Sequence, residues 1–156
     1  ARDNTNVKVL AYQHYGQIHA YWPDSTPGVY DKLNVRDGHY PIWGPLHMLA
    51  KTAAGAIVKP EVKTIVDYLS GAIPPDDKLD LIDLEATHNV VPQCAMHVAR
   101  TEDGGALSCV MPAKDCTCKY LKSALGAAPA ECQACVQSPE CPAARPVCNY
   151  GFCEAS

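Results

Sequence analysis

The chain has 156 residues, 47% of them apolar, and a formal net charge of −4. That length suits one domain plus an appendage. No Lys/Arg stripe marks a nucleic-acid footprint, and no apolar run approaches the ~18 residues that a spanning helix needs. Charge is uneven: residues 1–71 hold seven Lys/Arg against six Asp/Glu, and residues 72–156 hold six against eleven. Ala1 is followed by neither a basic n-region nor an apolar h-region, so any leader of an exported precursor is expected to have been removed already.

Val7–Gln13 and Ile18–Trp22 are rich in β-formers with Gly16 between them, which predicts two strands joined by a short turn. Pro27-Gly28 and Asp37-Gly38 are turn signals. Pro41 and Pro45 exclude a helix interior, so the segment from His39 is expected to be extended, irregular first and a strand from about Leu46. Pro60–Ser70 reads as a helix. Val62, Ile65, Val66 and Leu69 fall at i, i+3, i+4 and i+7, Pro60 suits the first turn, and Gly71 suits the position after the last one. After Pro74-Pro75, residues 76–86 predict a second helix with Leu79, Ile82 and Leu84 inward, although their Leu/Asp alternation also permits a strand. Cys94–Arg100 and Ala106–Met111 flank Thr101–Gly105 as a β-hairpin would. Cys118–Leu125 suits a turn or two of helix.

Every cysteine lies in the last part of the chain: Cys94, Cys109, Cys116, Cys118, Cys132, Cys135, Cys141, Cys148 and Cys153. The final five run C-x2-C-x5-C-x6-C-x4-C among prolines and few large aliphatics. Such a stretch cannot bury a core of its own, so cross-links must restrict its unfolded state. Disulfides persist in oxidising compartments, which points to a periplasmic or extracellular protein. Nine is odd, so one thiol stays free or pairs between chains. Cys94 and Cys109, on the two hairpin arms, are one possible pair; spacing leaves the remaining connectivity open. Cys132 and Cys135 have the spacing of a zinc half-site but lack a matching second pair. No haem-attachment, P-loop, G-x-S-x-G or H-E-x-x-H pattern occurs.

Two stretches together resemble a family. Asp37-Gly38-His39-Tyr40-Pro41-Ile42-Trp43-Gly44-Pro45-Leu46-His47, followed by the helix Ile65–Gly71, is similar to the C-terminal part of type 2 periplasmic solute-binding proteins, phosphate-binding branch. The likeness covers residues 7–71; Gly44 stands at the family's arginine position, and His47 replaces an aromatic. It implies an α/β fold: residues 1–90 as the C-terminal part of a solute-binding-like lobe, and residues 91–156 as a disulfide-stapled hairpin and Cys-rich extension. It also implies a non-enzymatic, cofactor-free protein that closes its lobes around phosphate or another oxyanion. The N-terminal fragment of the same precursor, or another protein chain, would complete the cleft.

The candidate ligand residues are Tyr12, Gln13, Arg36, Tyr40 and Trp43. Aromatics with a polar handle line solute clefts, although they serve equally as half-buried core. Arg36 is suited to fork an oxyanion, or to a turn salt bridge with Asp37. His14, His19, His39 and His47 crowd the first fifty residues and are candidate copper or zinc ligands, or plain surface histidines. The alternative functions are a structural or interaction subunit of an extracellular assembly, and a copper- or zinc-handling protein.

Overall fold

The computed structural model describes residues 6–69 and 79–155. It is a mixture of short helices and three separate two-stranded antiparallel ribbons, cross-linked by four disulfides. The described residues form no periplasmic-binding-protein lobe. Such a lobe needs a sheet wide enough to carry helices on its faces, and each ribbon here stops at two strands of two or three residues.

The first predicted strand pair is reduced to one bridge. Tyr12 and Tyr21 exchange both N–H···O bonds, at 2.8 and 2.9 Å, across a turn held by Gln17 and His14. Helix α1 (Leu33–Arg36) follows and is where the early chain enters the core: Val35 and Arg36 are its buried residues. Gly38 then turns with φ of +81°, and a Cβ there would stand 3.0 Å from Val98 Cγ1. Only glycine allows both the turn and that approach.

The strand expected from Leu46 does not form. Pro41 and Pro45 remove donors from the segment, and the chain runs unpaired as far as β1 (Thr52–Ala53), which pairs with β2 (Ala56–Ile57) through a tight turn. Helix α2 (Pro60–Leu69) is present as the periodicity predicts. Its apolar face, however, is not core. Ile65 is 56% exposed, Leu69 is exposed, and Val62 and Val66 are half-buried. Amphipathic spacing makes a helix able to pack, but among the described elements α2 contacts chiefly the β2 strand of the small β1–β2 ribbon. Ser70, Gly71, Pro74-Pro75 and the first residues of the expected second helix lie outside the described residues.

From Leu79 onward the chain packs. Helix α3 (Leu81–Thr87) begins at Asp80, whose carboxylate accepts from the Asp83 N–H at 3.0 Å. Ile82 and Ala86, one turn apart, face helix α4 (Thr117–Leu125) and meet Ala95, Cys116, Tyr120 and Ala124 in the main core. Leu79 and Leu84 lie off that face and are exposed, contrary to the expectation that both point inward. The predicted hairpin forms as β3 (Val98–Ala99) and β4 (Ser108–Cys109).

The proposed Cys94–Cys109 link is wrong. The hairpin register sets Cys109 opposite Val98, four residues beyond Cys94, and leaves it free and exposed. Cys94 instead bonds Cys116, tying the hairpin to the start of α4. The others are Cys118–Cys132, Cys135–Cys148 and Cys141–Cys153. The last two hold a terminal hairpin, β5 (Val147–Asn149) and β6 (Phe152–Glu154), whose turn residues Tyr150 and Gly151 both have positive φ. Phe152 packs on Cys118 and Cys132 as a small separate core.

Candidate binding groove

An open groove of about 790 Å³ lies among the described residues. Its floor is the small cluster Val35, Met96 and Val98, on which Tyr40 and Trp43 rest. One wall is the extended chain from Tyr40 to Met48; the other is the turn after α3, with Val90, Val91 and Pro92. Sequence dictates both. Proline-bounded extended chain cannot fold back on itself, so Ile42, Leu46 and Met48 stay in solvent along the rim. The Tyr40 N–H donates to Asn34 O at 2.8 Å, which fixes the wall to α1.

Arg100 is the groove's distinctive polar group. Its guanidinium lies over the Trp43 ring at 4.2 Å, and one Nη donates to Pro41 O at 2.9 Å. The Arg100 Nε and Trp43 Nε1 atoms are buried without a hydrogen-bond partner among the described residues. Nor does any described carboxylate pair with Arg100, whereas Lys32, on the same groove, is engaged by Asp24 at 2.7 Å. Glu85 also lines the groove, and burial raises its carboxyl above the usual range. The groove therefore presents apolar walls and one uncompensated cation.

Of the ligand residues expected from sequence, Tyr40 and Trp43 line this groove. Tyr12 stands behind it, edge-on to Tyr40 with ring centroids 6.3 Å apart. Gln13 spends its amide on Gln17 O at 2.8 Å. Arg36 offers no fork to a solute: it is 2% exposed. Its Nε donates to Ala95 O at 2.8 Å, its Nη2 to Thr117 Oγ1 at 3.2 Å, and its cation lies 5.5 Å from the Tyr120 ring centre. Desolvation lowers its pKa, with Tyr120 and nearby acids opposing the shift. Arg36 is an internal tie between the early chain and α4.

The histidines do not converge. His14 lies beside Tyr12, His39 stacks on Tyr21 at 4.9 Å, His47 pairs with Asp103 at 2.9 Å, and His19 is exposed. Among the described residues the one group with metal-ligand proximity is Cys135, Cys141 and Cys153, and those sulfurs are held in disulfides.

Sequence reasoning missed Arg100, Met96 and Val98, which the hairpin brings back under Trp43. It also missed a polar chain. Asp37 Oδ1 meets His97 Nδ1 at 2.7 Å, and His97 Nε2 lies 3.4 Å from Thr117 Oγ1. An acid, an imidazole and a hydroxyl in that order resemble a hydrolytic constellation. The two backbone N–H groups beside the hydroxyl are already engaged, Thr117 N–H by Asp115 at 2.9 Å and Cys118 N–H by Glu154 at 2.6 Å. Thr117 itself is buried. The three partners come from distant positions, and nothing in their local sequence announces the contact.

No protein-family model, curated protein or solved structure matches the chain.

Proposed function

We propose that this protein is a non-enzymatic interaction module of an oxidising compartment, periplasmic or extracellular. Its disulfide-stapled half is a scaffold that presents the groove to an extended segment of another polypeptide. The observation that carries the reading is the pairing of exposed apolar walls with the unpaired Arg100. Leu46 is 76% and Ile42 57% exposed along the rim, and exposed apolar residues gathered on one groove are a signature of interaction sites. An apolar segment bearing one carboxylate satisfies both features, with the acid at Arg100 and aliphatic or aromatic side chains against Tyr40, Trp43 and Met96. A free phosphate is a poorer fit than the solute-binding likeness suggests. It asks for several converging donors, Arg36 is spent internally, and Lys32 is already paired.

Selection from a displayed library of random linear peptides tests this. The expected binders carry an Asp or Glu beside apolar residues, and lose at least tenfold in affinity on Trp43→Ala and on Arg100→Gln. Binders indifferent to both substitutions would overturn the reading. Inorganic phosphate, added as a competitor, should leave the peptides bound; competition at micromolar phosphate would restore the solute-binding alternative.

A further inference from the structure

We propose that the two terminal disulfides are an isomerisable pair: a catalytic thiol converts Cys135–Cys148 and Cys141–Cys153 into Cys135–Cys141 and Cys148–Cys153, and so uncouples the β5–β6 hairpin from the segment that holds it. Two independent placements support this. The sulfurs of Cys135, Cys141 and Cys153 lie within 4.8 Å of one another although they belong to two different bonds. Cys148 and Cys153, also in different bonds, are direct partners across the hairpin.

The hairpin pairing is of the closer kind. The Cys153 N–H donates outward to Gln133 O at 2.9 Å, and the Cys148 N–H outward to Ser138 Oγ at 3.0 Å. Neither is spent on the opposite strand, as in a non-hydrogen-bonded pair, whose Cα atoms stand about 4.5 Å apart. That spacing lies at the short end of the disulfide range, about 4.4–6.8 Å. Both new bonds are therefore within reach without unfolding the hairpin.

The chemistry balances with no net oxidation. The thiolate of a small monothiol attacks Cys148 Sγ, which is half-buried, and the Cys135–Cys148 bond breaks with its electron pair on Cys135. The Cys135 thiolate attacks Cys141 Sγ, and the Cys141–Cys153 bond breaks with its pair on Cys153. The Cys153 thiolate then attacks Cys148 across the hairpin and expels the monothiol, which leaves as it came.

The consequence is mechanical. In the observed pairing the two bonds interlock, each linking the 135–141 segment to the hairpin. In the isomer each bond closes within its own segment. The hairpin is then held without a covalent tie, by Phe152 on its small core, by the Cys135 N–H to Gly151 O bond at 3.0 Å and the Cys153 N–H to Gln133 O bond at 2.9 Å, by the Cys148 N–H on Ser138 Oγ, by Glu154 on the Cys118 N–H, and by Lys114 over the Tyr150 ring.

The Cys109→Ser protein, which lacks the exposed native thiol, is treated with reduced glutathione at pH 8, quenched in acid, and digested without reduction for mass spectrometry. The expected result is a second species of unchanged intact mass with Cys135–Cys141 and Cys148–Cys153 links, while Cys94–Cys116 and Cys118–Cys132 persist. Its rate of formation should rise about tenfold per pH unit below the thiol's pKa, because the thiolate is the nucleophile. Glutathione adducts and reduced cysteines without any Cys135–Cys141 peptide would overturn the proposal. A second protein with Cys141→Ala and Cys153→Ala lacks the acceptor bond, so its Cys148–glutathione adduct should accumulate several-fold above the parent level. Equal adduct levels would also overturn it.

Discussion

Residues 6–69 and residues 79–155 solve different problems. In the first stretch, Val35 and Arg36 are the buried residues, and Leu10, Tyr15, Ile18, Leu46, Leu49 and Ile65 all lie in solvent. In the second, α3 and α4 bury side chains against each other, the terminal hairpin buries Phe152 on Cys118 and Cys132, and all four disulfides lie there, while Val98 of β3 reaches back to Val35 of the first stretch. The first has ample apolar residues but, among the described residues, little to cover them beyond the small cluster of Val35, Tyr40 and Trp43 on Met96 and Val98. The second has few large aliphatics, yet its cross-links restrict the unfolded chain, so a small core suffices. Apolar content alone therefore does not locate a core; closure does.

The comparison breaks most sharply at Tyr120, fully buried between α3 and α4 beneath Arg36. Burial pushes its hydroxyl well above the usual phenol range. Tyr120→Ala should cost about 3–5 kcal/mol in denaturant unfolding, the range for truncating a large buried ring. A loss below about 1 kcal/mol would move the core elsewhere. Replacing Cys118 and Cys132 together by alanine should cost about 2–4 kcal/mol, because it opens a cross-link between positions 14 residues apart and loosens the Phe152 cluster. Unchanged stability would mean that the cross-links do not carry the second half.

Glu154 gives a pH test of the same half. Its side chain is buried and accepts from the Cys118 N–H. Burial raises its pKa from 4.5 to about 7, with Asp115 adding to the rise and Arg145 and the backbone bonds opposing it. A carboxyl with a raised folded pKa binds its proton more tightly in the native state. Its contribution is therefore fully present below about pH 4.5 and is lost as pH rises through about 7. The wild-type protein should lose stability between pH 5 and 8 relative to Glu154→Gln, as read from melting temperatures at each pH. Parallel profiles would show that the carboxyl titrates normally.

The smallest expected effect is the most telling for the first half. From periodicity alone, Ile65→Asp on α2 would bury a charge without a partner and cost several kcal/mol. With Ile65 56% exposed, the change should stay within about 0.5 kcal/mol. A large loss would show that α2 packs in the isolated chain.

What the sequence made legible was local. The α2 periodicity, the turn at Thr101–Gly105 and the short α4 are each written within a window of a dozen residues, and the crowding of nine cysteines between Cys94 and Cys153 announces a disulfide framework. What it hid was long-range. The pairing of Cys94 with Cys116, the burial of Arg36 against Ala95 and Thr117, and the return of Arg100 to Trp43 depend on how separate elements dock. Arg36 shows the trap clearly. A turn-flanking arginine beside Asp37 and two aromatics looks like an anion fork, but α1 directs it inward, where backbone and hydroxyl oxygens satisfy it. The Tyr-Pro strand pattern likewise resembled part of a two-lobe fold. A strand pattern needs neighbours, and here Leu46–Ala50 has none within the described chain.

The contrast between the two halves is most directly tested by native-state hydrogen exchange read by mass spectrometry. The amides of α4 and of β5–β6 should be protected by orders of magnitude, while those of α2 and of the Tyr12–Tyr21 turn should exchange at close to unprotected rates. Protection of α2 equal to that of α4 would contradict the account, because it would mean that the first half carries a core of its own.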